Sequence, residues 1–119
     1  TTLQQYTVVC APSAVQWAGV EALKTDMTPY VDDYRKKRDL IRAGLQGVTE
    51  FYEPEGAFYL FAKVPGEDMA FCERAIKEKE LLVVPGRIFT NETNWIRISY
   101  AAEESVLHRG IDALKELMK

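Results

Sequence analysis

The sequence predicts an α+β domain in which a small sheet carries helices packed on it. Three observations point there. Apolar residues recur at helical spacing in the first third and again at the end of the chain. Short β-branched or aromatic runs occupy the middle, and Pro-Gly or Glu-Pro-Glu-Gly clusters separate them. With 119 residues, 47% hydrophobic and 28% charged, the chain has the make-up of one globular domain with a single core.

The elements follow in order. Residues 6–10, Tyr-Thr-Val-Val-Cys, are β-prone and stop at Ala11-Pro12. Ser13 is placed to cap a helix through Val15, Trp17, Ala18, Ala22 and Leu23. Thr25 to Pro29 breaks that run. Tyr30, Val31, Tyr34, Ile41 and Leu45 then mark a long amphipathic helix, with Gly44 or Gly47 as its stop. Glu53-Pro54-Glu55-Gly56 is a turn leading into a strand over Ala57 to Val64. That run is apolar on both faces, which predicts cover on both sides. After Pro65-Gly66 a helix turns Phe71 or Cys72, Ala75 and Ile76 inward. Leu81 to Val84 reads as a second strand, Trp95 to Tyr100 as a third. Leu107, Ile111, Leu114 and Met118 mark a closing helix.

Charge narrows the function classes. A net charge of −3 gives no basic stripe for nucleic acid, and the cluster Arg35-Lys36-Lys37-Arg38 is bracketed by Asp32, Asp33 and Asp39. It reads as a solvated helix face. No apolar stretch approaches a membrane span. Cys10 and Cys72 lack metal-type spacing and read as free thiols of a reducing compartment, so a cytoplasmic location is expected. The opening Thr1-Thr2-Leu3-Gln4-Gln5, with no cap or turn, reads as a cut through a longer protein.

Most site chemistries lack their residues. His108 is the only histidine and falls among charged neighbours, so no histidine triad or His-rich metal site can be built. No phosphate-cradling glycine loop occurs, and Pro65-Gly66 and Pro85-Gly86 are single turns. Arg97 stands out. Alternation puts Ile96, Ile98 and Tyr100 on one strand face and Trp95, Arg97 and Ser99 on the other. A mid-strand arginine there snorkels to water, pairs with an acid, or receives an anionic ligand.

Several ordered segments resemble the C-terminal part of class I and II, fold-type-I, pyridoxal-phosphate-dependent aminotransferases, in the manner of aspartate aminotransferase. These are Gln4-Gln5 through Ala11-Pro12-Ser13 with Gln16 and Ala18, and Tyr34 through Leu40. Next come Pro54-Glu55-Gly56-Ala57-Phe58-Tyr59-Leu60-Phe61, Val83-Val84-Pro85-Gly86 with Phe89, and Arg97-Ile98-Ser99-Tyr100-Ala101. The resemblance spans essentially the whole chain. It implies the small-domain architecture of that family: a small, mostly antiparallel sheet with helices on it, preceded by a long interdomain helix. Residues 1–24 would pack on a large domain, and 25–119 would form the small domain.

The resemblance also implies functional roles. Arg97 would bind the α-carboxylate of an amino-acid or 2-keto-acid substrate, and Phe89 would stand at the cleft rim. Tyr6 to Ala11 would approach the partner subunit of a homodimer. Thr90, where the family has glycine, and Ala101-Ala102-Glu103, where it has a capping residue, depart from the pattern and bear on the shape of the rim.

Transamination needs pyridoxal phosphate and a lysine that binds it covalently. In the family these groups lie upstream of the residues matched here. Lys24, Lys36, Lys37, Lys77, Lys79, Lys115 and Lys119 fall on polar helix faces or chain ends, and Lys63 sits at a strand end. No catalytic, cofactor-binding or metal-binding residue is therefore expected in this chain, and the chain alone is expected to be inactive. Two other readings stay open at this stage. One is the ligand-sensing, aminotransferase-like domain of a transcriptional regulator; the other is a stand-alone module that binds carboxylates through Arg97.

Overall fold

The computed structural model describes residues 2–7 and 9–119. Its elements run α1 (Thr2–Thr7), α2 (Ser13–Ala22), α3 (Thr28–Leu45), β1 (Phe51–Tyr52), β2 (Tyr59–Lys63), α4 (Asp68–Lys79), β3 (Val84–Pro85), a 3-10 turn (Gly86–Ile88), β4 (Trp95–Ser99) and α5 (Glu104–Leu117). Two compact units divide between Tyr30 and Val31.

In the first unit no described residue is buried or half-buried. Tyr6 and Thr7 close a helix, where β-prone residues predict a strand; Val8 lies outside the described residues. The Thr7 hydroxyl donates to the Leu3 carbonyl, and Val9 N–H reaches back to Gln4, so local hydrogen bonds override a weak propensity. Ser13 does not cap α2. Pro12 is the cap residue, and its carbonyl accepts from Val15 and Gln16 N–H. At the break before α3, Asp26 accepts from the Thr28 N–H at 2.9 Å.

In the second unit β2 and β4 form the centre of an antiparallel sheet of order β1-β2-β4-β3. The register sets Leu60 opposite Ile98 and Ala62 opposite Ile96, which makes one apolar face. Ile41 and Leu45 of α3, Phe71, Cys72 and Ala75 of α4, and Leu107, Ile111, Leu114 and Leu117 of α5 join that face in the core. Gly47, at φ +76°, follows the end of α3. Gly44 lies inside the helix, where an added Cβ would come within 2.7 Å of Ile111 Cγ2. The small residue lets α3 and α5 approach closely.

The structure corrects several details. Leu81 to Val83 are not strand; β3 is only Val84–Pro85, because Leu81 N–H still closes the end of α4 on the Ala75 carbonyl. β1 at Phe51–Tyr52, ahead of the Glu-Pro-Glu-Gly turn, is an additional strand. Ile76 is exposed on α4. The buried polar residue of this helix is Asp68, with no exposed surface. The second face of β2 is not fully covered: Tyr59, Phe61 and Lys63 are half-exposed.

Candidate functional site around Arg97

That second face carries the site. Lys63 lies opposite Trp95, Phe61 opposite Arg97, and Tyr59 opposite Ser99. Phe61 stacks on Trp95 with planes 1° apart and centroids 5.6 Å apart, and Tyr52 stacks on Trp95 at 4.7 Å. Trp95 is only 4% exposed, with the rings of Phe61 and Tyr52 stacked on it. The aromatic residues supply their own cover.

Arg97 projects from β4 beside this cluster. Its guanidinium carbon lies 4.3 Å from the ring centroid of Tyr59 and 4.3 Å from that of Phe89. Tyr59 arrives from β2 and Phe89 from the end of the 3-10 turn, so three separate segments converge. Both contacts favour the cation electrostatically and restrain it. Among the described residues no carboxylate lies within 4.0 Å of Arg97, as is also so for Arg74 and Arg109, whereas Arg35, Arg38, Arg42 and Arg87 each have an acidic partner. Of the three fates open to Arg97, ion pairing is absent among the described residues. What stands there is a half-exposed, ring-held guanidinium whose N–H donors face no fixed acid.

The turn that carries Phe89 is itself held. Phe89 and Thr90 N–H both donate to the Gly86 carbonyl. Gly86 is buried, and a Cβ there would sit 2.5 Å from the Trp95 carbonyl oxygen, so only glycine lets the turn lie against β4. Asp68 accepts from Arg87 N–H (2.8 Å), Arg87 Nε (2.7 Å) and Met69 N–H (2.8 Å), and Arg87 also pairs with Glu67 at 2.5 Å. Neither this clamp nor the contact of Tyr59 with Arg97 is legible in the sequence. An aspartate after Pro-Gly-Glu at a helix start reads as a dipole-favoured surface acid, and nothing local marks it as buried.

Pyridoxal phosphate, the cofactor the resemblance implies, needs a lysine that attacks it as a neutral amine. Lys24, Lys37, Lys63, Lys77 and Lys79 each pair with a carboxylate, and Lys36, Lys115 and Lys119 are exposed. A hydrogen bond from Lys63 to Glu50 pushes its ammonium pKa up, away from the neutral amine that attacks a carbonyl. These residues do not fit the covalent anchoring of pyridoxal phosphate. His108 is exposed beside Glu104, Cys10 is exposed and Cys72 buried, and no metal-type cluster occurs among the described residues. Asp32, Asp33 and Asp39 pair with Arg35, Lys37 and Arg38 along α3. Among the described residues no helix is long and apolar enough to cross a membrane.

The family description "Aminotransferase class I and II" matches residues 3–114. The chain belongs to that family. It is 33% identical over 117 residues to an aspartate aminotransferase of Thermotoga maritima, covering 98% of this chain and 31% of that protein. To an aspartate aminotransferase of Thermococcus kodakarensis it is 37% identical, covering 92% of this chain and 30% of that protein. A crystal structure of a Thermotoga maritima aspartate aminotransferase superposes with a TM-score of 0.88 at 34% identity, over 97% of this chain and 31% of the other. The chain thus spans about a third of the length of these relatives. The aminotransferase small-domain fold is what the antiparallel sheet and its helices form.

Proposed function

We propose that this chain is the substrate-carboxylate portion of a pyridoxal-phosphate-dependent aminotransferase that moves an amino group between an amino acid and a 2-keto acid. The observation that carries this reading is Arg97, a strand-borne guanidinium held by two rings with no acidic partner among the described residues. A planar cation restrained in this way is prepared for an in-plane, two-point hydrogen bond to a carboxylate, and little rotamer freedom remains to be lost on binding. Phe89 forms the rim of that position.

Pyridoxal phosphate, which supplies the electron sink of transamination, belongs in this reading to the two thirds of the relatives that the chain does not span. The large exposed apolar residues of the first unit, among them Trp17 at 74% and Leu23 at 89%, support residues 1–24 packing on that larger part. A homodimer is the assembly that goes with this arrangement. The chain alone then has no transaminase activity.

The test is Arg97→Lys in the pyridoxal-phosphate enzyme that contains this chain. Two charge-assisted hydrogen bonds at roughly 1.5–3 kcal/mol each place the expected loss of kcat/KM at about 100-fold or more. An unchanged value for carboxylate substrates would overturn the assignment. For the isolated chain, borohydride reduction with pyridoxal phosphate should trap no saturable adduct at a single lysine.

A further inference from the structure

We propose that Asp68 is a positioning residue for Arg97, acting through the turn that carries Phe89. The inference rests on the carboxylate reading of Arg97 and extends it to a residue on a different helix. Asp68 opens α4 and is wholly buried. One carboxylate oxygen takes the Arg87 N–H; the other takes Arg87 Nε and the N–H of Met69. Its own N–H donates to the Thr93 carbonyl at 2.7 Å, just before β4. One residue therefore fastens α4 both to the 3-10 turn and to the entry of β4.

Arg87 is the middle of that turn, and the turn ends on Phe89. Gly86 is pressed against the Trp95 carbonyl from the other side. The turn is thus held at both edges, by Asp68 through Arg87 and by β4 through Gly86. Phe89 is about half exposed, with edge contact to Phe61 at 6.5 Å. Its ring has little packing of its own to fix it, so the backbone clamp decides where it meets Arg97. A buried carboxylate that merely supported α4 would need only the Met69 bond; this one also takes two hydrogen bonds from Arg87 of the turn.

The test follows the Arg97 Nε–H resonance in the 119-residue chain labelled at arginine, assigned by its loss in Arg97→Lys. Ring currents from Tyr59 and Phe89 should displace it upfield, and Phe89→Ala should remove part of that displacement. Asp68→Asn should shift the resonance toward the Phe89→Ala position. Arg87→Gln, which keeps the buried carboxylate and removes only the side-chain half of the clamp, should shift it in the same direction by less. A purely structural role would lower the melting temperature and leave the resonance of the folded protein where it was. An unmoved resonance in either folded variant overturns the proposal. In the pyridoxal-phosphate enzyme the same variants should raise KM for carboxylate substrates with kcat changed less. If the resonance moves as expected while Arg97→Lys leaves KM unaltered, the carboxylate reading fails and the positioning of Arg97 by Asp68 stands.

Discussion

The guanidinium of Arg97 and the ring of Phe89 meet at 4.3 Å, from a strand and from the turn that precedes it. The contact neither neutralises the cation nor consumes its hydrogen bonds. It restrains the arginine and leaves its N–H donors facing no carboxylate among the described residues.

Removing the ring should therefore cost binding more than chemistry. Phe89→Ala in the enzyme containing this chain is expected to lower kcat/KM by about 10-fold, mostly through KM, since a cation–π contact is worth roughly 0.5–2 kcal/mol. Phe89→Tyr should retain most of the wild-type value. Steady-state kinetics with two substrates of different side chain would check that the loss follows the shared carboxylate.

Gly86→Ala is expected to disturb the site from behind. The new Cβ meets backbone, the Trp95 carbonyl oxygen at 2.5 Å, and backbone cannot rotate away. Overpacking of this kind costs about 1–3 kcal/mol. Urea denaturation should show that loss. The Arg97 resonance should move as well, because the turn has to lift off β4.

Acid should weaken the Asp68 clamp. Burial raises the Asp68 carboxyl pKa, but hydrogen bonds from the Arg87 side chain and from the Arg87 and Met69 backbone, with the Arg87 charge, outweigh it and hold the group below its ordinary value. A carboxyl depressed in the folded state contributes its stability above the unfolded pKa, about 3.9, and loses it as pH falls through the lower folded value. The unfolding free energy measured from pH 6 to pH 2 should fall below about pH 4. Asp68→Asn should start lower and show a shallower decline over the same interval, and an identical slope would remove Asp68 from the account. At pH 7, Asp68→Ala is expected to cost about 3 kcal/mol, since it removes three hydrogen bonds from Arg87 and Met69 at roughly 1 kcal/mol each.

A gain of stability is available at the end of α4. Glu80 takes the left-handed conformation at φ 52°, with its own N–H on Ile76 and that of Leu81 on Ala75. Glycine adopts this cap geometry without the Cβ penalty, so Glu80→Gly should stabilise the chain by about 1 kcal/mol. Thermal unfolding would register the change, and a lower melting temperature would contradict the reading of the cap.

Sequence pattern alone determined which residues are apolar on each element, and that was enough for α5 and the two faces of β4; of the stripe expected on α3 only Ile41 and Leu45 are buried, while Tyr30, Val31 and Tyr34 are exposed. Ile96, Ile98 and Tyr100 are buried together because a strand alternates whatever it packs on. Motif order was enough for the family, and Arg97 stood out because a strand arginine between β-branched residues requires an explanation. Local hydrogen bonding and tertiary packing decided the rest. Tyr6 and Thr7 became helical through bonds to their own neighbours, and Leu81 to Val83 stayed out of the sheet because the end of α4 holds Leu81. The pairing of Tyr59 with Arg97 depends on strand register, and the burial of Asp68 depends on where the Gly86 turn lands. Local sequence specifies a residue's chemistry and its period. Which distant group it meets is set by packing between elements, and for Asp68 that packing turns a surface acid of the helix start into a buried acceptor for Arg87 of the 3-10 turn.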